Sequence, residues 1–241
     1  AGHPHDLCGA VTGPLVVDLA GPEGADARRL AGLLAGARLA CFPTDTVYGL
    51  GGAVTPAVRE ALVAAKGREA GKPLQVVYAS LGLLEASLEL GPRLLEAVRR
   101  LLPGPFTLVV PCPTDVAVPP AGEVPLHALG SVGETGVATL GVRVPAWPAA
   151  ARALGELPFP LLASSANPSG GEAPRSVDEV DGGLLAACDL VLDAGPVGGE
   201  ASAVVDLSSY EEDGAWRILR PGTVDERGIA DLLAGGEESH A

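Results

Sequence analysis

Only two lysines occur in the chain, Lys66 and Lys72, six residues apart, and every other basic side chain is arginine. Against that bias, two lysines placed together call for a reason. Base of any kind is scarce: 16 basic residues face 30 acidic ones, for a net charge of −14. Such a field repels a polyphosphate backbone at long range and argues against a broad nucleic-acid surface, leaving room only for a small, concentrated basic pocket. Methionine is absent, and the four cysteines (Cys8, Cys41, Cys112, Cys188) are scattered without CxxC spacing. They read as buried, inert thiols in a reducing cytoplasm. His3, His5 and His240 lie near the ends and His127 in a polar stretch, with no HxxxH or HExxH pairing, so all four read as solvated surface. No GxSxG precedes Ser165 or Ser202 and no GxxxxGK[ST] occurs, so neither a hydrolase triad nor a P-loop is supported. No apolar run is long enough to cross a bilayer, and no basic segment followed by an apolar one marks a signal peptide. What is left is catalysis by positioning and charge stabilisation, without a covalent nucleophile.

The 241 residues, 47% of them apolar, fit one large α/β domain or two small ones. No repeat and no linker divides the chain. Strands are expected at 15–19, 38–42, 74–78, 107–110, 137–144, 160–163, 190–192, 203–207 and 216–219. Ala27, Leu30, Leu33 and Leu34 share one helical face. Thr55-Pro56 caps and opens a helix to about Ala65. Leu94, Leu95, Val98, Leu101 and Leu102 form another apolar face, halted by Pro103-Gly104-Pro105. Further helices are expected near 148–154 and 177–187, and residues 113–134 read as a long surface excursion. This alternation predicts a sheet covered by helices.

Four segments concentrate chemistry. In PTDTVYGLGG (43–52) a strand runs into hydroxyls, a carboxylate and glycines, as at the strand ends where α/β sheets take ligands; a tight turn between two strands is an equal reading. Lys66-Gly67-Arg68 with Lys72-Pro73-Leu74 puts three cations in seven residues at a helix end. That fits a loop gripping polyphosphate better than cations complementing a helix dipole. Arg143 interrupts the apolar run TLGVRVP and needs a carboxylate or phosphate partner, either a protein aspartate or a ligand. In ASSANPSGG (163–171) an apolar strand ends in small hydroxyl and amide groups. These could donate to phosphate or adenine, although a Ser/Asn turn is the simpler reading. Ser202, Asp206 and Arg220 each put one polar side chain at a strand end.

Taken in order, PTDTVYGLG, KGR with KPL, PGPFTLVV, GVRVP, SSANPSG, VVD and ILRPG resemble the signature of the YrdC-like threonylcarbamoyl-AMP synthases. The resemblance spans residues 14–222, leaving an N-terminal extension (1–13) and a C-terminal helix with a frayed tail (223–241). It implies an α/β fold: a twisted mixed sheet flanked by helices, with a large positively charged cavity. The activity implied is L-threonylcarbamoyladenylate synthesis from L-threonine, bicarbonate and ATP, with magnesium accompanying the ATP. The product would serve the threonylcarbamoyladenosine modification of tRNA through a separate downstream transferase, in the cytoplasm and away from membranes. Carried over by position, Lys66, Arg68 and Lys72 would hold the phosphates, with Lys66 and Arg68 also stabilising the reaction. Thr139, Ser165 and Asn167 would contact the nucleotide, and Arg220 would close over it. Thr46, Arg143 and Ser202 would hold threonine, with Arg143 on its carboxylate, and no dedicated metal ligands are expected.

Three positions depart from the pattern. Val77 stands where one branch has histidine, Ala173 where a nucleotide-contacting serine is usual, and Ala203 where the family has threonine. Ala203, beside Ser202, is expected to loosen discrimination between threonine and serine, since one methyl supplies only ~1–3 kcal/mol. The alternatives are a carbamoyl-adenylate maker, a specialised-metabolism paralogue using another amino acid, and a non-catalytic RNA-binding module.

Overall fold

The structure, a computed structural model, describes residues 13–67, 74–112, 131–132, 138–168 and 170–235. In chain order the strands are β1 (Leu15–Asp18), β2 (Ala40–Pro43), β3 (Tyr48–Ala53), β4 (Gln75–Val77), β5 (Phe106–Pro111), β6 (Ser131–Val132), β7 (Ala138–Arg143), β8 (Leu161–Ser165), β9 (Leu190–Asp193), β10 (Ala203–Asp206) and β11 (Arg217–Arg220). The α-helices are α1 (Ala27–Gly36), α2 (Pro56–Ala65), α3 (Leu81–Ser87), α4 (Pro92–Leu101), α5 (Gly182–Ala186), α6 (Tyr210–Asp213) and α7 (Glu226–Ala234). Among the described residues the strands join in one mixed sheet, ordered β1-β9-β2-β3-β8-β4-β7-β5-β10-β11, with β6 added beside β7.

Local signals account for most boundaries. Asp26 caps α1 by accepting from the Arg29 N–H, and Thr55 caps α2 by accepting from Val58, with Pro56 in the first turn. These side chains satisfy helix N–H groups that would otherwise lack partners. Strand alternation then sorts residues between the two faces. Leu50, Val76, Leu108, Leu140, Val142 and Val205 enter a core with Val58 and Leu62 of α2, Leu94 and Val98 of α4, and Ile229 and Leu233 of α7. On the other face Phe42, Val77 and Leu161 pack with Leu30 and Leu34 of α1 and with Leu154. Beyond that second core, toward β5 and β10, the same face carries polar residues.

Several elements differ from expectation. The glycine-rich run after PTDT is itself a strand, β3, antiparallel to both β2 and β8. Gly51 permits this, because a Cβ there would lie 1.7 Å from the Leu162 carbonyl oxygen. The helix expected over 177–187 breaks into a 3-10 turn (Val177–Glu179) and α5, because Asp181 leaves helical geometry to accept from Gly183 and Leu184. Residues 149–156 form a 3-10 helix, not an α-helix, and α3 was not expected. Within the 113–134 excursion only β6 is described, paired with β7. No helix among the described residues is long and apolar enough to cross a membrane.

Candidate functional site

A cavity of about 500 Å³ opens on the polar half of the sheet face. The sheet beneath it is ordered in cross-strand rows set by register, in which Gly51, Leu161 and Val77 lie outside the cavity lining. One row carries Gly49 and Ser165, with Thr139 of β7 two residues before Gly141. The middle row runs Gly51, Ala163, Gln75, Gly141, Val109. A third runs Leu161, Val77, Arg143, and Thr107 stands opposite Arg143, because Leu108 pairs with Val142. Arg220 reaches the cavity from β11, which pairs with β10 through Val204 and Arg220.

At the Arg143 end, strand geometry buries a guanidinium to 2% exposure. Its Nη2 donates to Asp45 and to Thr46 Oγ1 (2.6 Å). The protein partner left open by the sequence is therefore Asp45, whose other oxygen accepts from the Ala146 N–H at 3.1 Å. Thr44 Oγ1 donates to the Val47 carbonyl (2.7 Å) and contacts Thr46 Oγ1 at 3.2 Å, fixing the loop between β2 and β3. Gly199 N–H donates to the Thr46 carbonyl from outside (2.6 Å). Burial pushes the Arg143 guanidinium down, while charge attraction by Asp45 and the hydrogen bond donated to it push back. Its Nε is buried without a partner among the described residues, and the residue lines the cavity.

At the opposite end, Ser165 Oγ donates to Asn167 Oδ1 (2.5 Å), and Asn167 Nδ2 donates to the Gly171 carbonyl. Lys66, the C-cap of α2, reaches this strand end. Its Nζ donates to the Ser165 carbonyl at 2.6 Å and to Ser164 Oγ at 3.3 Å. Of the residues expected to form the site, Thr139, Arg143, Ser165, Asn167, Ser202 and Arg220 line the cavity. Thr46 and Lys66 hydrogen-bond to residues of that lining. Arg68, Lys72, Cys8 and the four histidines lie outside the described residues.

The sequence reading missed Gln75 and Thr107. Thr107 Oγ1 donates to Gln75 Oε1 (3.0 Å) and contacts Ser202 Oγ at 2.9 Å, while Arg220 donates to the Ser202 carbonyl (2.8 Å) and to its Oγ (3.2 Å). The only signal for them was a polar residue at an alternating position in each of two apolar strands. Cavity-facing Thr107 and Val109 alternate with core-facing Leu108 and Val110.

The expectation attached to Ala203 is corrected here. Ser202 lines the cavity, so its strand neighbour Ala203 faces away, fully buried in the core with Val205. A methyl and hydroxyl missing there are missing from the wrong face to alter ligand discrimination. Val77 is buried in the second core, and of the three departures only Ala173 lines the cavity. Magnesium, expected with ATP, finds no cluster of three or more His, Cys, Asp or Glu side chains among the described residues. The described lining holds no carboxylate.

Burial also shifts ionisable groups that lie away from the cavity lining. Cys41, Cys112 and Cys188 are buried. Burial pushes Cys112 up to about 11 and, with Asp189 adding to it, Cys188 up to about 12. Tyr48, also raised chiefly by burial, donates to the Gly195 carbonyl at 2.8 Å and so ties β3 to the turn after β9.

Comparison with known proteins gives consistent results. The Sua5/YciO/YrdC family model, described as telomere recombination, matches residues 33–222. Over 207 residues the chain is 31% identical to the threonylcarbamoyl-AMP synthase of Bacillus subtilis, covering 84% of this chain and 55% of that protein. It is 33% identical over 198 residues to that of Pyrococcus abyssi (81% and 53%). It is also 36% identical over 228 residues to a putative threonylcarbamoyl-AMP synthase of Mycobacterium leprae (90% and 93%). The chain thus spans about half the length of the first two relatives and nearly all of the third. Among solved structures, P. abyssi Sua5 complexed with L-threonine superposes with TM-score 0.68 at 29% identity, covering 92% of this chain and 61% of that one. E. coli YciO, at 21% identity and TM-score 0.66, shares the fold.

Proposed function

The chain belongs to the Sua5/YciO/YrdC family, and from that premise we propose that it is an L-threonylcarbamoyladenylate synthase, a nucleotidyltransferase acting on L-threonine, bicarbonate and ATP. One observation carries the reading. A single cavity joins a buried arginine flanked by hydroxyls to a hydroxyl- and amide-lined strand end backed by a lysine. The first end suits an amino-acid carboxylate, because a guanidinium matches it bidentately. Thr46 and Ser202 would stand on either side of that amino acid. The second end suits a nucleotide, with Ser165, Asn167 and Thr139 as its contacts and Arg220 closing over it. Lys66, with Arg68 and Lys72, would hold the phosphates.

The chemistry follows from that arrangement. The threonine amine takes up bicarbonate, giving a carbamate and water. A carbamate oxygen then bonds to the α-phosphorus, the bond from that phosphorus to the bridging oxygen breaks, and pyrophosphate leaves with the electron pair. Fixed positive charge offsets what builds on the phosphoryl oxygens, and the sheet holds both reactants in line. The anhydride would pass to a separate transferase acting on tRNA, since a chain of net charge −14 is poorly suited to neutralising many phosphates.

The test is to incubate the protein with ATP, bicarbonate and each amino acid in turn and identify the adenylate by mass. Pyrophosphate release is expected only when ATP, bicarbonate and L-threonine are all present. Equal turnover with carbamoyl phosphate and no amino acid would overturn the assignment.

A further inference from the structure

The synthase reading leaves the middle row beneath the cavity without a role. Reaction must occur between the Arg143 row and the Ser165 row, above the row that separates them. Of the five middle-row residues, Gly51, Ala163, Gly141 and Val109 have no side-chain hydrogen-bonding group. Gln75 is the exception. Gly141 keeps the floor low beside it: a Cβ at 141 would meet the Gln75 Cβ at 3.7 Å and Thr107 Cγ2 at 3.6 Å.

The hydrogen bonds around Gln75 engage its amide oxygen, which accepts from Thr107 Oγ1. An arginine N–H can only donate and a carboxamide oxygen can only accept. The chain from Arg220 Nη2 to Ser202 Oγ (3.2 Å), to Thr107 Oγ1 (2.9 Å) and to Gln75 Oε1 (3.0 Å) is therefore bounded at both ends. The protons of both hydroxyls must point toward Gln75. Oε1 is consequently engaged, and Nε2, which has no partner among the described residues, is the donor end left to the cavity.

We propose that Gln75 is a catalytic residue whose Nε2–H groups donate to the junction between the carbamate and the α-phosphoryl group. This role rests on the synthase reading. Negative charge on the carbamate and the non-bridging phosphoryl oxygens is brought together there as the new P–O bond forms. A donor held in place by Thr107 stabilises that charge without reorganising, and Gln75 neither gains nor loses a proton. Ser202, with its proton committed to Thr107, meets the amino acid as an acceptor, suited to its N–H and not to its carboxylate.

The test compares wild type with Gln75→Leu and Gln75→Glu in pyrophosphate release, with melting temperatures measured in parallel. Gln75→Leu is expected to lose roughly 10–100-fold in kcat, as for one lost charge-stabilising donor, with KM for ATP and threonine little changed. Gln75→Glu keeps the acceptor for Thr107 but has no N–H. Its kcat relative to wild type should be lower still at pH 8 and rise as pH falls, when the protonated carboxyl regains a donor. Expressing activity as a ratio at each pH cancels the titration of bicarbonate. Variants within twofold of wild type, or a Gln75→Glu deficit that does not change with pH, would overturn the role of Gln75 and leave the synthase reading intact. A wild type that binds ATP but releases no pyrophosphate with all three substrates would overturn the synthase reading, and this role with it.

Discussion

Replacing Asp45 with alanine isolates the cost of keeping Arg143 buried. The Arg143 side chain is 2% exposed and that of Asp45 11%. Asp45 is its only carboxylate partner among the described residues and also accepts from the Ala146 N–H. In Asp45→Ala the desolvation that already depresses the guanidinium loses the charge opposing it. Removing one partner of a buried pair costs ~3–5 kcal/mol, and the slight exposure of Asp45 places this case at the low end. For a domain of this size that corresponds to a fall in melting temperature of roughly 6–12 °C. The same variant yields a second, opposite readout. If Arg143 binds the threonine carboxylate, the ligand should supply the missing anion, and saturating threonine should raise the variant's melting temperature more than that of wild type. Differential scanning fluorimetry across a threonine titration measures both. A variant melting within about 1 °C of wild type would refute the burial argument. Equal threonine-induced shifts in the two proteins would refute the shared use of Arg143.

Three further outcomes are expected. Lys66→Ala removes the tether to the Ser165 carbonyl and should weaken ATP binding by ~1.5–3 kcal/mol in a titration; unchanged affinity would remove Lys66 from the nucleotide site. Ala203→Thr, which restores the family residue, should destabilise by ~1–3 kcal/mol through overpacking of a fully buried position while leaving threonine-over-serine preference unchanged; a gain in selectivity in a competition assay would show that position 203 reaches the ligand. At Asp206, burial raises the carboxyl, but hydrogen bonds from Ser208 and the Arg217 guanidinium outweigh it and hold it below its ordinary value. A group lowered on folding stabilises above its unfolded pKa and loses that contribution as pH falls through the folded one. Wild type should therefore shed stability below about pH 4 that Asp206→Asn lacks at every pH, as read from melting temperatures between pH 3 and 7; parallel curves would refute it.

The sequence was informative wherever local physics decides. The cap and proline at Thr55-Pro56 placed α2 over its full length, and apolar runs located most strands. It failed where tertiary contact decides. A glycine-rich segment such as 48–53 has the composition of a loop; its pairing with β2 and β8 makes it a strand, and the closeness of the Leu162 backbone requires glycine at 51. The break at Asp181 depended on a side chain capping its own chain two and three residues on. At the site, the residues legible in advance were those standing alone as polar groups at strand ends, such as Arg143, Ser165 and Ser202. Gln75 and Thr107 lie inside strands that differ from a core pattern by one residue each, and their meeting depends on β4 and β5 both flanking that row through β7. The misplacement of Ala203 has the same origin: adjacency in sequence was taken for adjacency in space, which a pleated strand forbids.

Strand β7 carries Thr139 and Arg143, one at each end of the cavity, four residues apart on one covalent backbone. At about 3.3 Å of rise per residue, that backbone is a ruler of roughly 13 Å. Side-chain substitution can change what each end grips but cannot change the length of the rule. Adding or deleting a single residue between the two marks would turn one of them to the opposite face. The interval could then change only in steps of two residues, about 6.6 Å each, too coarse for fine adjustment. A change in that interval would therefore have to come from residues 195–201, between β9 and β10, and from the loop 44–47, between β2 and β3, whose lengths are not counted in pleats.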